Sequence, residues 1–147
     1  MKTIVVGVDG SPGAAAALRF ALDEARLRGS AVRVVSAWHV PAGAYESGYV
    51  TVPFDSAEFQ RIGESVLAKS LADADVDATA AGVEISQVLR EGQAADVLVA
   101  ESQDADLLVV GSRGLGGFRG LLLGSVGLQC AHYAGCPVVI VPHPHDS

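Results

Sequence analysis

The strongest constraint on this chain is its alternation of short Val-rich runs with longer Ala- and Leu-rich segments of helical period. Thr3–Val8, Ala31–Ala37, Val83–Leu89, Asp106–Val110 and Val138–Val141 are the short runs, several of them almost continuously apolar. Such runs suit strands buried on both faces, as in a parallel sheet. The intervening segments carry helix signals. Ser11 is a good N-cap and Pro12 suits the first helical position. Ala14, Ala17, Leu18, Ala21, Leu22 and Ala25 then share one face, and Gly29 closes the helix. A second helix is predicted from Asp55 to about Ala74, with Glu58 three residues on as in a capping box. The third is predicted over Gln93–Ser102, and a fourth from Ser125 to about Ala134. Strand and helix in strict alternation imply right-handed crossovers, hence an α/β fold with a five-stranded parallel sheet and helices on both faces. We expect the Rossmann-like order 3-2-1-4-5, in which the chain reverses direction between strands 1 and 4. Ligands of open α/β sheets sit at such a switch point, beyond the carboxyl ends of the strands.

Composition narrows the partner. Half of the 147 residues are apolar, enough for a real core, and residues 1–142 read as one domain followed by a loose tail, 143–147. Ten Lys and Arg stand against 17 Asp and Glu, a formal charge of −7. That balance argues against nucleic acid or an anionic membrane as a general partner. Any anion site must then be local, built from backbone amides and one or two basic side chains. The apolar start ends at Asp9, no stretch has transmembrane length, and a cytoplasmic address is expected. Cys130 and Cys136 read as free thiols, and neither they nor the four histidines show metal-ligand spacing.

Two segments fall where the switch-point rule puts a ligand: Gly7-Val8-Asp9-Gly10-Ser11 after strand 1, and Gly111-Ser112-Arg113-Gly114-Leu115-Gly116-Gly117 after strand 4. Seven glycines lie between Gly111 and Gly127. Glycine lets successive amides converge on a phosphate, and Gly124-Ser125 opens a helix whose first amides attract anions. Arg113 or Arg119 can add charge. Composition alone leaves a phosphate cradle and a plain loop with an N-cap as two readings. Asp9 is likewise a ligand residue or a turn stabiliser. The P-loop is missing, since no Gly-Lys occurs, and so is the dinucleotide fingerprint. The connection Trp38–Pro53 is long enough for a lid or an interface. His39 reads as a solvent-facing loop residue. No Ser/His/Asp arrangement is legible, so no nucleophile or general base is assigned.

The spacing Gly111-x2-Gly114-x9-Gly124-Ser125 resembles that of the ATP-binding universal stress proteins. The similarity extends through Ile4–Ser11, Asp106–Gly114, Leu123–Val126 and Cys136–Val141, nearly the whole chain. It implies an adenine nucleotide alpha-hydrolase-like fold. It also implies that Gly111, Ser112, Arg113, Gly114, Gly116 and Gly117 wrap ribose and phosphates, with Gly124, Ser125 and Val126 closing on them. Gly7 and Val8 lead to Asp9, which would face the ribose or a phosphate-bound Mg²⁺, with Ser11 beside it. Ala37 matches the position whose backbone meets adenine. The ligand implied is ATP, or AMP, ADP or cAMP, held as a regulatory ligand in a stress response. The partner implied is a second copy, paired along Val138–Val141. Two alternatives stand beside this. One is a slow ATPase or autophosphorylating protein, with Asp9 on the metal and Ser125 or Ser112 accepting phosphate. The other is a nucleotide-independent dimeric interaction protein using the Trp38–Phe54 segment. One departure is Gly127, where relatives often carry a hydroxyl residue.

Overall fold

The computed structural model describes residues 2–39, 56–76, 82–113 and 123–142. Among these residues nine elements follow in order: β1 (Thr3–Gly7), α1 (Pro12–Arg28), β2 (Ala31–Trp38), α2 (Ser56–Asp73), β3 (Ile85–Glu91), α3 (Ala94–Ser102), β4 (Leu107–Gly111), α4 (Ser125–Tyr133) and β5 (Val138–Val141). All four strand pairings are parallel, and the sheet order is β3-β2-β1-β4-β5, as the alternation predicts.

The period-2 geometry of a strand sorts its side chains between two apolar layers. Ile4 and Val6 of β1, Val32 and Val34 of β2, and Leu107 and Val109 of β4 pack with the Ala/Leu face of α1 and with Leu67 of α2. Val5, Val35, Leu108 and Val110 point the other way, onto Val97 and Leu98 of α3 and Cys130 of α4. Burial on both sides explains why these strands are almost continuously apolar. Small residues on α1 let it sit close to the sheet: Ala17, Leu18, Ala21 and Leu22 are all fully buried. Each leucine there contributes about 1.5–3 kcal/mol through its burial.

The ends of α1 follow their sequence signals. Ser11 Oγ accepts from the Ala14 amide at 3.1 Å, and Pro12 occupies the first turn. Gly29 adopts a left-handed conformation at φ 66°, and its amide and that of Ser30 both reach the Ala25 carbonyl. The proposed Asp55 capping box involves a residue outside those described, although Glu58 does lie in the first turn of α2.

β3 runs two residues later than its apolar run suggests. Glu84 only offers its carbonyl to the Val32 amide, and the paired stretch continues through Arg90 and Glu91 to lie beside Ala37 and Trp38. An edge strand tolerates charge that a central strand does not. The Arg90 guanidinium meets buried Glu101 of α3, which also bonds Arg33 of β2 at 3.0 Å. Asp104 bonds Arg33 too, and this contact holds its carboxyl below the ordinary range. Among the described residues, no helix is long and apolar enough to cross a membrane.

Candidate nucleotide site at the strand switch

β1 and β4 are neighbours in register Val6 with Val109, and β1 and β2 in register Gly7 with Val35. Continuing these offsets past the strand ends sets Asp9, Ala37 and Ser112 on one row. The Val8 amide still donates to the Val35 carbonyl at 2.9 Å, so the β1–β2 ladder extends one step beyond β1 itself. The Val8 side chain is buried in the α1 layer. The pairings of β1 end there, and the switch-point rule places a ligand just beyond.

Gly7 and Gly111 owe their identity to close approaches. A Cβ on Gly111 would stand 3.0 Å from the Gly13 carbonyl oxygen, so the end of β4 passes directly against the start of α1. A Cβ on Gly7 would stand 2.6 Å from Leu98 Cδ1 in the opposite layer. The turn after β1 is tightly bonded. Asp9 Oδ1 accepts from the Ser11 amide at 2.9 Å, the side-chain-to-backbone turn that aspartate commonly makes. The turn-stabilising role of Asp9 is therefore present in the fold. Ser11 is buried, and its hydroxyl is occupied as an acceptor by α1.

Ser112 is buried at the other lip. Its amide donates to the Val141 carbonyl at 2.8 Å, and its carbonyl accepts from the Gly124 amide at 2.6 Å. Gly124 is the N-cap of α4 and has no side chain to cap it, and its carbonyl accepts the first helical bond, from the Leu128 amide. The amides of Ser125, Val126 and Gly127 consequently have no partner within the helix. Ser125 is exposed and Val126 half-buried. The two helix starts at the switch thus differ: α1 is capped by its own serine, while α4 has no side-chain cap among the described residues and presents the positive end of its dipole.

Gly127 has a local reason. A Cβ there would lie 2.6 Å from Leu123 Cδ1, so Leu123 fills the space a hydroxyl residue would use. Gly114, Gly116 and Gly117, and Arg119, lie outside the described residues, as does most of the Trp38–Pro53 connection. Arg113 is described and directly follows Ser112. Ala37 is half-buried at the end of β2, next to exposed His39 two residues on. Sequence reasoning missed two residues near the site, Lys69 and Ser70 of α2. Ser70 Oγ accepts from the Gly10 amide at 3.2 Å, and Lys69 Nζ donates to the Gly10 carbonyl at 3.0 Å. A signal did exist: Ser70 continues the buried stripe Gly63–Leu67 at helical spacing, where a polar residue needs a partner.

The chain matches the model of the Universal stress protein family over residues 1–142. It is 37% identical over 137 residues to the universal stress protein Rv2623 of Mycobacterium tuberculosis, covering 93% of this chain and 44% of that protein. It thus spans about half the length of the curated relatives it matches. Among solved structures, a universal stress protein in complex with cAMP superposes with a TM-score of 0.71 at 28% identity, covering 97% of each chain. The universal stress protein from Archaeoglobus fulgidus in complex with dAMP superposes at 0.56 and 29% identity, covering 96% of this chain and 98% of that one. The switch-point geometry, the glycine spacing and these likenesses agree: the chain belongs to the universal stress protein family.

Proposed function

We propose that this protein binds ATP, or AMP, ADP or cAMP, as a regulatory ligand in a stress response. The observation that carries this reading is the switch point between β1 and β4. There Gly111 has no room for a side chain, and Gly124 is drawn back onto Ser112 to start an uncapped helix. Uncapped amides suit phosphate, and Ala37, on the same row at the end of β2, suits an adenine edge. The complexes of related structures with cAMP and dAMP support an adenine nucleotide.

The residues present fit Mg²⁺ as a companion of the nucleotide. Among the described residues, no three His, Cys, Asp or Glu side chains converge on one metal position. A single carboxylate, that of Asp9, suits Mg²⁺ shared with phosphates, the usual way this ion is held. Asp9 would orient the ion with its carboxylate while Ser112, Arg113, Gly114, Gly116 and Gly117 wrap the phosphates and Ser125 and Val126 close on them. Bound Mg²⁺ would supply charge neutralisation. Residues 1–142 form the binding unit in this reading. The chain acts in the cytoplasm as a homodimer joined along Val138–Val141, four apolar residues that are all half-exposed.

Calorimetric titration of the purified protein with ATP, with and without Mg²⁺, tests the reading. Saturable binding near one nucleotide per chain is expected, and it should disappear on replacing both Gly114 and Gly124 with valine. Absence of saturable binding in the presence of Mg²⁺ would overturn it. Steady ADP release that depends on Asp9 and Ser125 would instead favour a slow ATPase.

A further inference from the structure

We infer that Lys69 and Ser70, neighbours on α2, are positioning residues that set the Asp9 arm of the nucleotide site; the inference rests on the reading above. The turn after β1 pivots on Gly10, whose φ of 84° belongs to the left-handed region. Both peptide groups flanking that pivot are gripped from α2, about sixty residues away in sequence. The Gly10 amide donates to Ser70 Oγ at 3.2 Å. The Gly10 carbonyl accepts from Lys69 Nζ at 3.0 Å.

The chemistry of each contact is complete. Ser70 is 1% exposed, and its hydroxyl proton is committed to the Val66 carbonyl at 2.9 Å. Its lone pair is what remains for Gly10. The Gly10 carbonyl belongs to the same peptide unit as the Ser11 amide, and that amide donates to Asp9 Oδ1 at 2.9 Å. One peptide therefore carries a lysine ammonium on its oxygen and the Asp9 carboxylate on its N–H. A cation on the carbonyl polarises the peptide and strengthens its donation at the other end. Lys69 thus acts on Asp9 through a peptide. The position of the carboxylate is set from α2.

Two measurements on the full chain test this. In the ligand-free protein, amide hydrogen exchange at Gly10 and Ser11 should quicken roughly tenfold in Ser70→Ala and Lys69→Met, while Leu18 in α1 stays protected. With Mg-ATP as probe, each variant should bind roughly three- to tenfold more weakly, the size expected for one lost hydrogen bond. Lys69→Arg should recover most of that loss. Lys69 also pairs with Asp73, so Asp73→Ala serves as control and should leave the Gly10 and Ser11 exchange unchanged. The decisive arm is a cycle with Asp9→Ala. In that background Lys69→Met should weaken binding no further, whereas a purely structural lysine would cost the same in both. Equal costs in both backgrounds, or unchanged exchange at Gly10 and Ser11, would overturn the inference. If the wild-type protein binds no nucleotide, the functional reading fails, and the exchange data still decide whether α2 holds the turn. Should Ser70→Ala fail to fold, Lys69→Met carries both measurements.

Discussion

The Gly124 amide donates to the Ser112 carbonyl at 2.6 Å, joining the start of α4 to the end of β4. The Ser112 amide meanwhile donates to Val141 of β5. One buried residue thereby ties together the strand that delivers the glycine-rich segment, the helix that receives it and the edge of the sheet. The two ends of that segment are pinned at one point before any ligand arrives. The loop-closure entropy is thus met by the fold itself, which lowers the ordering cost of binding.

Gly111 and Gly7 should respond differently to a methyl group. In Gly111→Ala the new carbon meets the Gly13 backbone at 3.0 Å, and no side chain there can move aside. A loss of about 1–3 kcal/mol is expected in urea denaturation, with weaker ATP binding. Gly7→Ala meets the Leu98 side chain, Cδ1 at 2.6 Å and Cδ2 at 3.0 Å. Trimming that residue in the double variant Gly7→Ala/Leu98→Val should recover stability relative to Gly7→Ala alone. If Leu98→Val also rescues Gly111→Ala, the backbone account of Gly111 is wrong.

Much of this fold was legible because buried parallel strands announce themselves as apolar runs separated by helical periodicity. The order of strands and the caps of α1 followed from that pattern and from Ser11, Pro12 and Gly29. The limits of β3 did not, since hydropathy cannot tell that Arg90 and Glu91 sit in an edge strand whose charge is met by Glu101. The site divides the same way. Gly111, Gly124 and Asp9 carry local signatures of spacing and turn chemistry. The grip of Lys69 and Ser70 on Gly10 spans about sixty residues and leaves no local pattern. Whether Asp9 shapes its turn was also undecidable until the Ser11 contact was visible.

Glu101 should matter far more than Asp104, although both bond Arg33. The Glu101 side chain is 8% exposed and meets two guanidinium groups, that of Arg33 and that of Arg90. Removing it takes from Arg33 its buried partner and leaves the exposed Asp104 contact, and Glu101→Ala should cost about 1–3 kcal/mol. Asp104 is exposed, so solvent screens its contribution and Asp104→Ala should be nearly silent. Its depressed pKa makes that small contribution present at neutral pH and lost as pH falls through the folded value. Chemical denaturation at pH 7 ranks the two variants, and equal costs would contradict this account.

Burial pushes the Cys130 thiol from its ordinary 9.0 up to about 11. The folded state therefore favours the neutral thiol, and the unfolded chain ionises first as pH rises. The contribution of Cys130 is intact below about pH 9 and is lost progressively up to about pH 11. The difference corresponds to about 3 kcal/mol. Other groups titrate in that range, so the informative quantity is the wild-type curve minus the Cys130→Ala curve. That difference should be flat below pH 8 and slope above pH 9. A difference flat throughout would show that Cys130 ionises equally well in both states.

The edge strand supplies the last prediction. The carbonyls of Pro137 and Val141 face β4, accepting from Leu108 and Ser112. By the alternation of a parallel ladder, Val139 faces β4 too, while the backbone groups of Val138 and Ile140 point outward. A homodimer joined along this strand would use those outward groups. Proline at 140 removes an outward N–H and leaves every bond to β4 in place, as an edge strand tolerates. Ile140→Pro should therefore keep the fold and convert a dimer to a monomer in sedimentation equilibrium. Val139→Pro, which removes a β4 contact instead, should lose stability outright. If Ile140→Pro remains dimeric with its circular dichroism intact, the copies meet elsewhere. If the wild-type protein sediments as a monomer at tens of micromolar, the half-exposed β5 edge is not an interface between copies.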